Sequence, residues 1–309
     1  MKPSDFDWSF RGVTVRETGA FVPFSPSLFK DIYIWWRYYR AETRSEPAAQ
    51  GPFRDVACHP REIQNVYLLW GAMQQARLRA LRPNAQTDLH FHFSDQTYIN
   101  DQNTRISGLN GKCTDISKSK VAAVFENVFG YALRIDPHTA PTPFICKSEL
   151  NGKHDGFMSY ENRAPQEGWV YQKLIQTETK QGTVLDLRCP TVFGDIPLIY
   201  LKERPINKRF ANMNSQCRLA ETSDYLSDEE RTKISQFCQE MNLDWGGLDI
   251  LRDNIDKKIY IVDVNKTDMG PPLALPLKDK LASTHILGLA LRRAVDFHYP
   301  PAIETAEEG

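Results

Sequence analysis

The sequence is poor in the features that mark several common classes. Its six cysteines (Cys58, Cys113, Cys146, Cys189, Cys217 and Cys238) are scattered and form no CxxC pair. A zinc ribbon and a dense disulfide framework are therefore excluded, and free thiols in a reducing compartment are expected. No apolar run approaches the roughly 20 residues that span a bilayer. The opening MKPSDFDWSF is polar and lacks the apolar core of a secretory signal, so a cytoplasmic protein is expected. The formal net charge of −1 leaves no global basic field for nucleic acid or anionic lipid, and clusters such as Lys202 to Arg209 act only locally. Repeats and low-complexity segments are absent. So are a GxGxxG after a strand, a GxSxG elbow and an HExxH pair. Gly108-Leu-Asn-Gly111-Lys112-Cys113 is no P-loop: two residues separate its glycines, and Cys113 stands where a metal-binding hydroxyl is needed.

What remains is an ordinary globular composition, 41% hydrophobic and 25% charged, over 309 residues, enough for two or three lobes. Residues 27–41 (SLFKDIYIWWRYYRA) read as an aromatic-rich amphipathic helix. Trp35, Trp36, Tyr38 and Tyr39 either line a ligand or membrane surface or pack into the first lobe. Residues 60–81 read as one long helix with Pro60 near its start. Residues 89–93 (LHFHF) alternate as a strand, placing His90 and His92 on one face; a metal pair there lacks an evident third ligand. Residues 114–130 form a helix capped by Thr114 or Asp115 and ended by Gly130. After a Pro-rich linker at 137–143, strands are expected at 143–150, 169–175, 183–190 and 197–204. A helix follows at 227–241 with a Ser227/Glu230 capping box. Strands at 247–252 and 258–264 and a helix at 280–297 complete an α+β pattern with separate lobes.

Three groups of residues carry candidate chemistry. Asp249 lies in one predicted strand; Asp263 and Asn265, two apart, project from one face of the next. Two carboxylates and an amide are hard oxygen donors suited to Mg²⁺ bridging phosphates. The alternative is that Asp263 and Asn265 simply end a strand before a turn, although an acid inside IYIVDV needs a partner. Lys147, in PFICKSEL before a turn with Gly152 and Gly156, either supplies a point charge to phosphates or is a surface lysine on an edge strand. Arg188 interrupts an apolar strand and must reach an anion or Asp186. With Lys202, Arg204, Lys208 and Arg209 it either steadies a transferring phosphoryl group or belongs to a solvated basic hairpin.

Taken in order, these segments resemble the ATP-grasp superfamily over about residues 105–272. DILRDNIDKKIYIVDVNKT is similar to its closing strand pair, in which an acid precedes a Glu-x-Asn metal motif; here Asp263 replaces the usual glutamate. KSELNGKHDG resembles the strand lysine and glycine-rich loop over the phosphates. VYQKLI resembles the hinge strand whose backbone reads adenine. The resemblance implies an α+β fold of two lobes sandwiching ATP, preceded by a helix-rich N-terminal region. It implies N-terminal residues 1–104, an ATP-grasp domain over 105–309, a small lobe near 136–175 and a large lobe near 176–297. It implies ATP and Mg²⁺ as cofactors, metal ligands Asp249, Asp263 and Asn265, and catalytic Arg188 and Arg204. ATP contacts would come from Lys118 (with Lys112 as competitor), Lys147, Gln172, Lys173, Leu174, Ile175, Lys202 and Asn212. Within the superfamily the chain resembles the TupA-like group, tied to polysaccharide biosynthesis. The implied activity is a carboxylate–amine ligase, in polysaccharide or secondary-metabolite biosynthesis, acting through an acyl phosphate. A small-molecule or glycan kinase at the same site, or a nucleotide-binding module without chemistry, are the alternatives. The expected partner is a small-molecule or glycan acceptor, with a homodimer as a candidate assembly and without nucleic acid or a membrane span.

Overall fold

The computed structural model describes residues 6–15, 21–99, 108–153, 155–209 and 216–300. It is an α+β protein in which a large antiparallel sheet is shared by two cores. Strands β10 (Thr183–Val192), β11 (Ile199–Pro205), β12 (Gln216–Ala220), β13 (Trp245–Arg252) and β14 (Ile259–Asn265) form that sheet in the order β12-β11-β10-β13-β14. Residues alternate across it. Leu187, Cys189, Leu201, Leu248, Ile250 and Val264 enter a core closed by helices α3 (Lys118–Phe129) and α4 (Asp228–Met241).

The opposite face is divided. Val192, Leu198, Tyr200 and Trp245 pack into a second core with α2 (Leu68–Gln75) and α5 (Leu277–His298). That core also holds a parallel sheet, β5-β4-β6, made by β4 (Arg54–His59), β5 (Leu78–Leu81) and β6 (His90–His92). The rest of this face carries the charged residues described below. A small sheet, β8-β7-β9, built from β7 (Phe144–Ser148), β8 (Phe157–Ser159) and β9 (Trp169–Gln172), has its own apolar cluster around Phe144, Cys146 and Tyr171. At the amino end, β1 (Phe6–Trp8), β2 (Gly12–Val15) and β3 (Phe21–Pro23) make a meander before helix α1 (Pro26–Glu42).

Two expected helices are shorter than their patterns. Over 60–81 only Leu68–Gln75 is helical. Arg77 at φ +54° turns the chain, and Leu78–Leu81 pairs with β4 although Arg, Ala and Leu favour helix. Parallel pairing and burial of Leu78 outweigh propensities of a few tenths of a kcal/mol. Helix α3 starts at Lys118 with Ser117 as its cap, because Asp115 instead accepts a hydrogen bond from the Ser117 N–H at 2.8 Å. Gly130, at φ +77°, ends it as expected.

Candidate active site

The closing strands bring the proposed metal ligands together by register alone. Asp249 on β13 lies opposite Asp263 on β14 and opposite Arg188 on β10, so three charged side chains share one face. Asn265, two residues beyond Asp263, extends the row opposite Gly247. A bulge follows immediately: Ile250 pairs with Ile261 and Val262 is the extra residue. On the other side Asp186 lies opposite Lys202, with Arg204 two residues on. The face is therefore acidic toward β14 and basic toward β11, with Arg188 between.

Ion pairs tie the halves together. Arg188 Nη1 lies 2.9 Å from Asp249 Oδ1, and its other terminal nitrogen donates to Asp268. Arg204 pairs with Asp186. Arg188 thus reaches Asp249 and Asp268, not Asp186. Asp268 was not singled out in the sequence, because it lies beyond the strand end and only the folded turn returns it under Gly247. A Cβ on Gly247 would stand 1.9 Å from Asp268 Oδ2, so glycine leaves the space that this carboxylate fills.

Burial and neighbouring charge drive the two metal-candidate carboxylates apart. Burial raises Asp249, yet Arg188 and Lys202 outweigh it and hold the group below the usual carboxylate range. Burial raises Asp263 above that range despite Lys118 and Lys147, with the Asp249 charge adding to the rise. Asp186 and Asp268 are likewise raised, chiefly by burial. Burial also lowers Lys202, helped by Arg188.

The small sheet supplies a further charge. Lys147 sits on β7, its central strand, so the edge-strand reading does not hold. Burial lowers its pKa, while the charges of Asp263, Asp249 and Asp186 oppose the fall, so its ammonium lies within electrostatic reach of the acidic row. Lys118, at the start of α3, is buried; its Nζ donates to the Leu150 carbonyl at 2.8 Å, tying it to the glycine-containing turn after β7. Lys112, the competing cation, is exposed.

The hinge segment divides its duties. The Lys173 side chain is engaged: its Nζ lies 2.9 Å from Asp253 and Asp256 and 3.0 Å from Tyr260 Oη. Ile175 is a core residue whose carbonyl accepts from Arg209 at 3.0 Å. Among the described residues, Leu174 forms no backbone hydrogen bond, and the buried Gln172 Nε2 has no partner. An open backbone edge beside an orphaned amide fits a planar heterocycle with donor and acceptor atoms. Asn212 lies outside the described residues.

The donor set also fits a small divalent cation shared with phosphates. Asp249 and Asp263 supply carboxylate oxygens. Asn265 Oδ1 accepts from the Thr267 N–H at 2.8 Å and from the Thr267 hydroxyl at 3.3 Å; the hydroxyl would have to rotate away for this oxygen to reach an ion. Among the described residues no group of three or more His, Cys, Asp or Glu is placed to hold a metal, so an ion here needs ligand oxygens as well. His90 and His92 likewise find no third ligand among the described residues, and His90 Nδ1 lies 3.2 Å from His59 Nε2.

No family model matches the chain, and no curated protein matches it. Among solved structures, the chain is similar to D-alanine–D-alanine ligase from Bacillus anthracis, at 11% identity and TM-score 0.46, covering 79% of this chain and 98% of that one. It is similar to a RiPP-associated ATP-grasp ligase from Chryseobacterium gregarium, solved with ADP and a leader and core peptide, at 10% identity and TM-score 0.44, covering 80% and 98%. It is similar to the ATP-grasp ligase PsnB, solved with a minimal precursor, at 15% identity and TM-score 0.41 over 58% of this chain; the chain spans 60% of PsnB's length. In structure, then, the chain is similar to ATP-grasp ligases.

Proposed function

We propose that this chain is an ATP- and Mg²⁺-dependent ligase that activates a substrate carboxylate as an acyl phosphate for attack by an amine. The observation that carries the reading is the sheet face on which Asp249 and Asp263 stand in register, with Arg188 and Lys202 beside them and Lys147 of the small sheet within electrostatic reach. ATP brings about four negative charges into a cleft of reduced dielectric, and such a set of cations and metal ligands is what offsets them. Asp249, Asp263 and Asn265 would hold Mg²⁺, which when bound neutralises phosphate oxygens. Leu174 and Gln172 would meet the adenine edge. Arg188, Lys202 and Lys147 would orient the triphosphate; Arg204, tied to Asp186, steadies that acid beside Lys202.

The reaction needs no protein nucleophile. An acceptor carboxylate oxygen bonds to the γ-phosphorus as the bond to the β-phosphate oxygen breaks and ADP leaves. An amine then bonds to the acyl carbon, phosphate departs, and the amine proton passes to solvent. Positioning and charge neutralisation supply the rate. The acceptor is a small molecule or glycan derivative bearing a carboxylate.

Hydroxylamine tests the reading. With ATP, Mg²⁺ and a panel of candidate acids, a hydroxamate is expected from the true acceptor, with ADP and phosphate released in step. A stable phosphoester made without a second nucleophile would instead identify a kinase. Loss of turnover in Asp263→Ala and Asn265→Ala, with the fold intact, is expected; full turnover at low Mg²⁺ in Asp263→Ala would remove the metal assignment.

A further inference from the structure

Helix α1 has two faces with different surroundings. Its inner face is firmly seated. Trp35 packs on Gly270, where a Cβ would come within 2.3 Å of the indole. Tyr38 is buried, and Glu42 accepts hydrogen bonds from Gln75 Nε2 at 2.6 Å and from the Thr284 hydroxyl at 2.8 Å. The outer face is apolar yet open: Phe29 is 59% exposed, Ile32 53%, Tyr33 56% and Trp36 48%. These positions, spaced i, i+3, i+4 and i+7, form one stripe. Ring contacts extend it toward the meander, from Phe29 to Phe24 at 6.0 Å and from Phe24 to Trp8 at 6.5 Å.

The stripe does not end in neutral surface. Arg37 lies over the Tyr33 ring at 5.9 Å and Arg40 over Trp36 at 5.3 Å. Exposed Lys30 and Arg44 complete four basic residues in the helix and its end. Against them stand Asp31, half-buried, Glu42, which turns inward, and the exposed Glu46 just beyond Arg44.

We propose that the outer face of α1 is an interfacial docking surface for an anionic phospholipid bilayer, with the helix lying along the membrane plane. A soluble surface gains nothing by exposing four large apolar side chains in a row. A bilayer interface accepts such a row, because rings settle at the headgroup level while neighbouring guanidinium groups meet lipid phosphates. The face is a helix surface with one open, shallow depression among Tyr33, Trp36, Arg37, Arg40 and Arg44, where a lipid phosphate could sit between the guanidinium groups. Charge complementarity selects the lipid: the excess of basic side chains favours phosphatidylserine-type or phosphatidylglycerol-type headgroups over zwitterionic ones. Because the anchoring contacts all lie on the inner face, outer-face substitutions should leave the fold intact. Trp35 and Gly270 connect the docked helix to the loop that follows Asp268.

The test is co-sedimentation of the full chain with vesicles of phosphatidylcholine alone or mixed with phosphatidylserine, read without any substrate and therefore independent of the ligase reading. Binding is expected on the mixed vesicles and to weaken as salt is raised. Ile32→Ser/Trp36→Ser and Arg37→Glu/Arg40→Glu, each with unchanged melting temperature, should both lower the partition coefficient, by on the order of tenfold or more. The proposal is overturned if the full chain does not bind, or binds both vesicles equally. It is also overturned if either double variant binds like the parent, or if Ile32→Ser/Trp36→Ser converts a dimer to a monomer, which would make the stripe a contact between copies.

Discussion

Arg188 serves two carboxylates with different prospects. Asp249 is a proposed metal ligand, whereas Asp268 is buried and has no cation but Arg188 among its contacts described above. Removing one side of such a pair leaves the other charge buried, at a cost of about 3–5 kcal/mol. Gly247→Ala tests this without touching a charge, since its methyl group would occupy the space of the Asp268 carboxylate. A loss of several degrees in melting temperature and a fall in ATP turnover are expected together; a stable, active variant would show that the pair is dispensable. Glu42 gives a test by pH. Burial raises its pKa in the folded state, and the hydrogen bonds from Gln75 and Thr284 only partly oppose this. The folded protein therefore holds the proton more tightly than the unfolded chain. The group's favourable contribution is complete below its unfolded pKa and is lost as pH rises through the raised folded value. Glu42→Gln keeps an amide oxygen for one partner and cannot ionise. Its melting temperature relative to the parent should rise between weakly acid and neutral pH, and a constant difference across that range would count against a buried, ionising Glu42.

Elements were legible where the local code and the tertiary environment agree. In α4 both capping-box hydrogen bonds form, Glu230 N–H to Ser227 Oγ at 3.2 Å and Ser227 N–H to Glu230 Oε2 at 2.9 Å. Ser227→Ala should cost about 1 kcal/mol, readable in a denaturant titration as a lower midpoint with unchanged slope. A larger loss would mean that Arg252, which reaches the same Glu230 at 2.8 Å, depends on the cap. The pair β13 and β14 was equally plain, because alternation and a polar turn fix both strands and place Asp249 opposite Asp263. Legibility ended where a distant partner decides the local state. Leu78–Leu81 is a strand only because β4 lies beside it, and nothing within RLRAL announces that. Lys173 was singled out for the backbone of the hinge segment, and nothing local announces that its side chain is held by Asp253, Asp256 and Tyr260, which follow about eighty residues later. Asp268 was invisible for the same reason: its importance rests on Arg188, eighty positions earlier.

At the scale of the whole molecule, the proposed site draws on two sheets that the chain supplies separately. The large sheet presents Asp249 and Asp263, and the small sheet presents Lys147 from its central strand. The ammonium of Lys147 feels Asp263, Asp249 and Asp186, so in the absence of ligand it helps to hold a face with an acidic end. With a nucleotide present, the same charge would meet phosphate oxygens. Lys147 and the metal ligands should consequently fail in different ways. Lys147→Ala removes one point charge from triphosphate binding and no oxygen donor from a cation. Its KM for ATP should rise by about tenfold, the equivalent of about 1.4 kcal/mol, while the Mg²⁺ concentration for half-maximal rate stays close to the parent's. Asp263→Asn should do the reverse, raising the Mg²⁺ requirement and cutting turnover even at saturating ATP, because a carboxylate donor becomes a weaker amide oxygen. It should also relieve the repulsion between adjacent carboxylates, so the ligand-free variant should melt no lower than the parent. Titrating rate against ATP and against Mg²⁺ separately for the two variants decides the matter. If both variants shift the same titration by the same factor, Lys147 and Asp263 act as one structural pair across the cleft, and the division into a phosphate side and a metal side is wrong.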